Sequence, residues 1–463
     1  MNQLMIRRAA LAVSLTALLS ACSLTPAYQR PVTEVPDHWS ATPGEAPTGQ
    51  PADVAWWEQF GDPELTSLMR DALAGSNELA ASIARVDQAR AAVRVAGAAL
   101  LPSVDGSGSV SRRTDDPHGG PSSKTNAYSV GATASYELDL WGKNRAQVEA
   151  ARADYQGTVF DHEALRLVVE SEVATDYMDL MALRERLSLA RDNLKAARDL
   201  LDLVELRYKE GAISALDVAQ QRGAVASFEA QVPALEQQAQ ATEHALALLA
   251  GRAPQTFAVA GTPLTSVKLP VIGVEQPSQL LLRRPDLRSA EQALIAANAD
   301  IGAARAAFFP TISLTAGGGL AGSISPNATS TFTSLAAGLA APIFRGGELT
   351  GNLQRAKARQ RELAADYRQA VITAFGEAED ALVAVQKTGE RYDRLAEAAA
   401  QARETYRIAH LRYKEGAEDF LTVLDAQRSL FDAEDSLAQA RAARFDAAVS
   451  LFKAMAGGWS TPG

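Results

Sequence analysis

One heptapeptide occurs twice in this chain, as Leu206-Arg207-Tyr208-Lys209-Glu210-Gly211-Ala212 and as Leu411-Arg412-Tyr413-Lys414-Glu415-Gly416-Ala417. Other landmarks recur in the same order: Leu101-Pro102-Ser103-Val104 corresponds to Phe309-Pro310-Thr311-Ile312, and Trp141-Gly142-Lys143 to Arg345-Gly346-Gly347. Chance does not place three landmarks in one order, so the chain is internally duplicated. Each half is predicted to run as a long helix, a Pro, a short β region, a Gly, a very long helix, a Tyr-x-x-Gly turn and a helix.

The very long helices are predicted over residues 143–209 and 348–414. Neither stretch contains Pro, and both are rich in Ala, Leu, Arg, Glu and Asp, which helices accept. At 1.5 Å per residue each helix would be on the order of 100 Å long. Apolar residues recur at spacings of three and four, which is typical of a coiled-coil face. In the first helix this stripe comprises Leu180, Leu183, Leu187, Ala190, Leu194 and Ala197.

Each Tyr-Lys-Glu-Gly is predicted to form the tip of a helical hairpin. Gly211 and Gly416 suit the left-handed position that ends many helices. Ser214, with Asp217 three residues later, resembles the capping box that starts a helix.

Four β segments are predicted between the helices. Residues 128–140 and 311–320 alternate apolar and polar side chains, as strands of a membrane barrel do. Two poorer, Gly-rich segments cover 104–110 and 335–343, and the polar loops 112–126 and 322–331 would be hairpin tips. Four strands are too few to close a barrel alone, since single-chain barrels have about 8 or more. Three chains would supply about 12, so the chain should form a trimer.

The N-terminus has the layout of a secretory signal that ends at the chain's single cysteine. Arg7 and Arg8 precede an apolar run over residues 9–19, and Ser20-Ala21 precede Cys22. This arrangement resembles the lipobox of bacterial lipoproteins, in which the cysteine is lipidated and becomes the new N-terminus. Ser23 follows, whereas an Asp there would resemble an inner-membrane retention signal. The mature chain is therefore predicted to be anchored on the outer membrane and to face the periplasm.

The composition argues against several functions. Cleavage of the signal removes Arg7 and Arg8 from 45 basic residues against 55 acidic ones, which leaves a net charge of about −12 and argues against nucleic-acid binding. The five His residues are scattered without metal-ligand or catalytic spacing, and no phosphate-binding Gly loop is present. We therefore predict no enzyme activity, no metal and no cofactor other than the lipid on Cys22. Beyond the signal no apolar stretch suits a membrane helix, so a crossing would require a closed β-barrel.

Several motifs together resemble the TolC-type outer-membrane efflux proteins, in the lipoprotein branch that serves drug-proton antiporters. The resemblance covers essentially the whole mature chain and includes both Tyr-x-x-Gly turns. The remaining motifs are Tyr28–Pro31, Trp56–Leu65, Leu282–Glu291, Phe420–Arg428 and Gly457-Gly458-Trp459.

The resemblance implies a mainly α fold with a membrane β-barrel: a homotrimer with a 12-stranded barrel and a long periplasmic helical tunnel. It divides the chain into a signal peptide, a lipidated arm, tunnel helices, barrel strands and an equatorial region. The respective residues are 1–21; 22–61; 62–102, 141–251, 285–309 and 345–445; 103–140 and 310–344; and 252–284 and 446–463.

The function implied is the exit duct of a tripartite pump for drugs or other small toxic compounds. Its partners would be a periplasmic adaptor, an inner-membrane transporter and outer-membrane lipid. Two alternatives stay open: the outlet of a type I protein-secretion system, and a structural envelope lipoprotein that conducts nothing.

The resemblance also places a periplasmic gate at Leu421, Asp425 and Arg428, which share one helix face through their i, i+4, i+7 spacing. Threefold symmetry would turn Asp425 into a ring of carboxylates and Leu421 into an apolar ring. The simpler interpretation is a surface ion pair between Asp425 and Arg428. The repeated heptapeptide predicts an adaptor-docking surface at Tyr208, Gly211, Tyr413 and Gly416.

Overall fold

The computed structural model describes residues 24–40, 55–116, 118–120, 122–274, 276–324 and 327–456. Helices account for most of this part of the chain, with one sheet between them. In chain order the elements are α1 (Pro63–Gly75), α2 (Asn77–Ala98), β1 (Ser103–Asp115), β2 (Ser123–Leu138), α3 (Lys143–Lys209), α4 (Ala215–Leu249), α5 (Pro277–Arg283), α6 (Pro285–Ala306), β3 (Thr311–Ile324), β4 (Asn327–Ala340), α7 (Glu348–Lys414) and α8 (Phe420–Ala454). Two short 3₁₀ turns cover Trp56–Phe60 and Pro254–Thr256.

The helix lengths confirm the internal duplication. Helices α2 and α6 each have 22 residues, α3 and α7 each have 67, and α4 and α8 each have 35. The predicted long helices, Lys143–Lys209 and Glu348–Lys414, are confirmed at both ends. Helix α8 continues to Ala454, so the predicted boundary between residues 445 and 446 falls inside a helix. The reason is that no Gly or Pro interrupts this stretch and its apolar side chains, such as Phe452, stay buried.

The four predicted strands form one antiparallel sheet in the order β1-β2-β3-β4. The predicted hairpin loops 112–126 and 322–331 are wrong in extent, because pairing continues through most of both stretches, to Asp115↔Ser123 and Ile324↔Asn327. Ser, Thr and Gly do not prevent backbone pairing, and the Tyr128 and Thr329 hydroxyls also hydrogen-bond across strands at 2.5 Å. Strand β4 ends at Ala340 rather than at 343, because Pro342 lacks the N–H that a ladder needs.

The sheet has two outer edges. Strands β1 and β4 each pair on one side only within the described part of the chain, and the residues of β1 are exposed along its whole length. Unpaired edges of 13 and 14 residues offer a row of free backbone donors and acceptors.

The chain forms two compact units. The first comprises Met1–Val32, Ala84–Val159 and Ser289–Gln369 and contains the sheet; the second comprises Thr33–Ile83, Phe160–Arg288 and Ala370–Gly463. Among the residues that the structure describes, none of the helices combines the length and the apolar character that a membrane crossing requires.

Within the first unit, the N-terminal arm is fastened to α6. Arg30 makes two 2.7 Å hydrogen bonds with the Glu291 carboxylate, and Asn298 donates to the carbonyl of Pro26 at 2.6 Å. Arg30 and Glu291 belong to two of the sequence motifs described above, so this ion pair gives both motifs a structural role. Cys22 itself lies outside the described residues.

We predict that Gly302→Ala releases this arm. A Cβ at Gly302 would lie 2.8 Å from the Cα of Thr25, which is too close for any real contact, so the arm must move. Chymotrypsin should then cut after Tyr28 several times faster than in the wild type. Gly351→Ala is the matched control, because that helical glycine has open space around it and the change should slightly stabilise α7. Equal cleavage in both variants would contradict the prediction.

Within the second unit, aromatic side chains of the Trp56–Leu65 motif fill the core. The Trp56 ring stacks on Phe452 at 4.9 Å, and its Nε1 donates to the buried Glu170 carboxylate at 3.3 Å. Asp62 caps α1 through the N–H groups of Glu64 and Leu65. The motif therefore joins the start of α1 to helices from both repeats.

Candidate functional site at the helical tips

The two tips have the same backbone geometry. Gly211 and Gly416 both have φ of 75°, in the left-handed region. In each tip the following Ala N–H reaches back to the carbonyl of the repeat's Arg at 2.9 Å, from Ala212 to Arg207 and from Ala417 to Arg412. These are the C-caps that the sequence predicted.

The helices after the tips start with different caps. Ser214 and Asp217 form a complete capping box at the start of α4, which confirms the prediction. In the second repeat Asp419 accepts a hydrogen bond from the Thr422 N–H at 2.8 Å. Both caps fix the direction in which the helix leaves its tip.

The two repeats share one apolar core near the tips. Phe228 and Phe431 meet edge to face at 4.7 Å, and Tyr413 packs near Phe420 with its ring centroid 6.2 Å away. Val204 and Val423 are fully buried in the same cluster. This core holds the two hairpins against each other within one chain.

The three predicted gate residues lie together on one exposed stripe of α8. Leu421 is 54% exposed, and Asp425 and Arg428 are also exposed, while Val423 and Leu424 are buried. The stripe therefore places one large apolar and two charged side chains next to one another at the surface of the tip.

The simpler interpretation of the gate residues, a surface pair between Asp425 and Arg428, is not present. Neither side chain has a hydrogen bond or an ion pair with any residue that the structure describes. Arg428 therefore has no acidic partner among the described residues of the single chain. In the first repeat Leu216 occupies the position of Leu421 and is 64% exposed, whereas Gln220 stands where Asp425 would be. The exposed Leu is common to both repeats, and the acid belongs to one.

The predicted docking residues are not equivalent, although their sequences are identical. Tyr208 is 47% exposed, whereas Tyr413 is 1% exposed and lies within the chain's own core. The Arg207 guanidinium covers the Tyr413 ring, 4.2 Å from its centroid. The Tyr413 side chain is thus not on the surface, which corrects the prediction for its ring. Gly211 and Gly416 are exposed.

The described residues contain no group of three or more His, Cys, Asp or Glu that could hold a metal ion. What the tip presents at its surface is the exposed apolar and acidic stripe of Leu421, Asp425 and Arg428.

The chain matches the outer membrane efflux protein family over residues 68–252 and 276–457. It belongs to this family.

Relatives of known function cover nearly the whole efflux protein. It is 39% identical over 462 residues to the pyoverdine export outer membrane protein OpmQ of Pseudomonas aeruginosa, covering 97% of this chain and 96% of that one. It is 34% identical over 449 residues to the cation efflux system protein CusC of Escherichia coli, covering 95% and 96%.

Solved structures share the fold of the efflux protein. The outer-membrane channel OprN superposes with a TM-score of 0.88 at 29% identity, covering 94% of this chain and 99% of that one. The open state of the Neisseria gonorrhoeae MtrE channel superposes with a TM-score of 0.85 at 31% identity, covering 94% and 98%. The resemblance to TolC-type channels is confirmed: the chain is an outer-membrane efflux channel, located in the outer membrane.

The efflux channel also contains a half-buried cluster of acids that the sequence did not predict, formed by Asp176, Asp179 and Asp446. Burial raises the pKa of Asp446 to about 7, with repulsion from Asp179 and Asp176 adding to it. Burial, followed by repulsion from Asp179 and Glu172, raises the pKa of Asp176 to about 6. One Asp446 oxygen is buried without a hydrogen-bond partner in the described chain. Acids on a helix usually face solvent, so the sequence alone carries no signal for this cluster.

We predict that Asp446→Asn stabilises the channel most at high pH. Because the folded-state pKa lies above the ordinary value, the wild type loses stability as pH rises through about 7. Asn resembles the protonated acid, so the gain in thermal unfolding midpoint should be largest at pH 8 and shrink steadily toward pH 5. Asp432→Asn, at an exposed position of the same helix, is the control and should show no such trend. An equal gain for Asp446→Asn at both pH values would contradict the prediction.

Proposed function

We propose that the efflux protein is the exit duct of a tripartite pump, closed as a homotrimer around a shared barrel. One observation carries the proposal: a four-stranded sheet with an unpaired edge strand on either side. In lipid every backbone group needs a partner, so an open sheet cannot span a membrane. Three copies joined β4 to β1 would close a barrel of about 12 strands, within the range of outer-membrane barrels. The strands, of 13 to 16 residues, exceed the roughly 9–11 that a tilted crossing requires.

The closed state of this duct would be held at the tips. Leu421 from three chains would form an apolar constriction, and Asp425 an acidic ring, since apolar rings can gate by dewetting and acidic rings favour cations. Their exposure on one face of α8 supports this arrangement. Arg428, which has no acidic partner among the described residues of its own chain, would pair with an acid of a neighbouring subunit.

The substrates would be drugs or other small toxic compounds. The relatives' names refer to pyoverdine, to cations and, in a pump of Pseudomonas putida, to toluene. A channel type that serves such different cargo does not itself select strongly, so specificity would lie in the transporter. The adaptor would dock at the tips, around Tyr208, Gly211 and Gly416, with Tyr413 supporting the surface from below.

The lipid anchor is proposed at Cys22. Cys22→Ser should abolish labelling with palmitate and leave the signal uncleaved by the lipoprotein peptidase. Trimer assembly should survive, because the barrel provides its own membrane contact. Palmitate labelling that persists in the variant would refute the anchor.

Single-channel recording in planar bilayers tests the function. A duct should give discrete, cation-selective current steps, whereas a structural envelope lipoprotein should give none. The outlet of a type I secretion system would also conduct, and loss of drug tolerance without loss of protein secretion on gene deletion separates the two.

A further inference from the structure

The tip of the single chain holds an arginine–tyrosine clasp between its two repeats. The guanidinium of Arg207, at the end of α3, lies 4.2 Å from the centroid of the Tyr413 ring at the end of α7. Its Nη2 also donates to the carbonyls of Tyr413 and Lys414, at 2.6 and 3.1 Å. The clasp combines a cation–π contact with hydrogen bonds to the last carbonyls of a helix.

The duplicated heptapeptide provides a second set of the same two groups. Arg412 corresponds to Arg207, and Tyr208 corresponds to Tyr413. The Arg412 side chain is 57% exposed, and it contacts Glu418 and the carbonyl of Ala417, both at 3.4 Å. Tyr208 is half exposed, and its side chain has neither a hydrogen bond nor a ring contact with the described residues. Both halves of a second clasp are present, and the single chain does not join them.

A second copy of this chain has the shape needed to join them. The paired helices have equal lengths in the two repeats, and the long helix of each repeat ends with the same C-cap at its tip. The first repeat of one copy can therefore lie against the second repeat of another as the two repeats lie within one chain. We propose that Arg412 stacks on Tyr208 of the partner subunit and donates to the last carbonyls of its helix. This inference rests on the proposed trimer, and it adds a contact that joins the helical tips of neighbouring subunits.

The contact between the two repeats of one chain differs from the proposed contact between subunits at positions further along the helices from the clasp. Within the chain, Arg186 pairs with Asp435 at 2.6 Å, and Arg441 pairs with Glu185. The positions that correspond to the first pair hold Arg391 and Ala230, and those that correspond to the second hold Glu390 and Glu236. Neither ion pair can therefore form between subunits. At the positions of the second pair, two acids, Glu390 and Glu236, would face each other. The contact between subunits would lack both ion pairs and depend more on the clasp, so we expect this contact to separate when the tip opens.

A crosslinking experiment tests the contact. Tyr208→Cys/Arg412→Cys is treated with a short bismaleimide in detergent, and the chains are separated on a denaturing gel after heating. We expect covalent dimers and trimers, with monomers alone from each single variant. The matched control, Arg207→Cys/Tyr413→Cys, should link within one chain and stay monomeric on the gel.

The mass of the same sample in detergent separates the two proposals. Trimers by mass that run as monomers on the gel would overturn the clasp and leave the trimer intact. Monomers by mass would overturn both.

A second readout distinguishes a clasp from general disturbance of the tip. Tyr208→Leu and Arg412→Gln should each raise single-channel conductance several-fold, and the double variant should do no more than either one. Tyr208→Phe keeps the ring and should restore the low conductance of the wild type. Additive effects, or a Phe variant that behaves like Leu, would overturn the clasp.

Discussion

Leu421→Ala combined with Asp425→Ala is expected to open the resting channel. The double variant should conduct several-fold more than the wild type in planar bilayers and should lose its preference for K⁺ over Cl⁻. The reason is that the change removes both an apolar ring, which excludes water, and three carboxylates, which attract cations. Both side chains are exposed on α8, so their loss should leave the core of the tip intact.

The first repeat provides the matched control for the gate. Leu216→Ala with Gln220→Ala changes the corresponding positions, where the exposed Leu is present and the acid is absent. This variant should keep the cation preference. Wild-type conductance and selectivity in the gate variant, within a correctly assembled trimer, would place the gate elsewhere.

Gly416→Val, and likewise Gly211→Val, is expected to abolish crosslinking to the adaptor. Both glycines have φ of 75°, and an added Cβ meets nothing within 4 Å in either. The substitution therefore costs the strain of a left-handed conformation, roughly 1–2 kcal/mol. It also places a branched side chain on the surface where docking is proposed.

Gly119→Val controls for backbone strain alone. Gly119 also has a positive φ, of 86°, and open space around it, but it lies between β1 and β2. It should assemble and crosslink like the wild type. If the tip variants form trimers and still crosslink normally, the tips are structural and the adaptor docks elsewhere.

The long helices could be predicted from the sequence because local signals agree along them. No Pro occurs between Lys143 and Lys209, and Gly211 marks the end. The ends of the strands could be predicted less accurately than those of the helices, because Ser, Thr and Gly suit both a strand and a polar loop. Only the pairing partner decides between them, as in the register that continues to Ile324↔Asn327.

The candidate site likewise has features that the sequence predicts and features that it does not. The helical spacing of Leu421 and Asp425 placed them on one face, and the structure confirms that placement. Identical heptapeptides could not reveal that Tyr413 is buried and Tyr208 exposed, because tertiary packing makes that difference. Likewise, the arm contact between Arg30 and Glu291 joins residues 261 positions apart, and no local pattern indicates it.

The mass of the purified channel in detergent shows whether the barrel is shared between chains. We expect a particle of three chains, because the described four-stranded sheet has two unpaired edges that further copies would pair. The same particles should give the current steps of an open or gated pore. A stable monomer that still conducts ions would contradict the shared barrel, and with it the ring of gate residues.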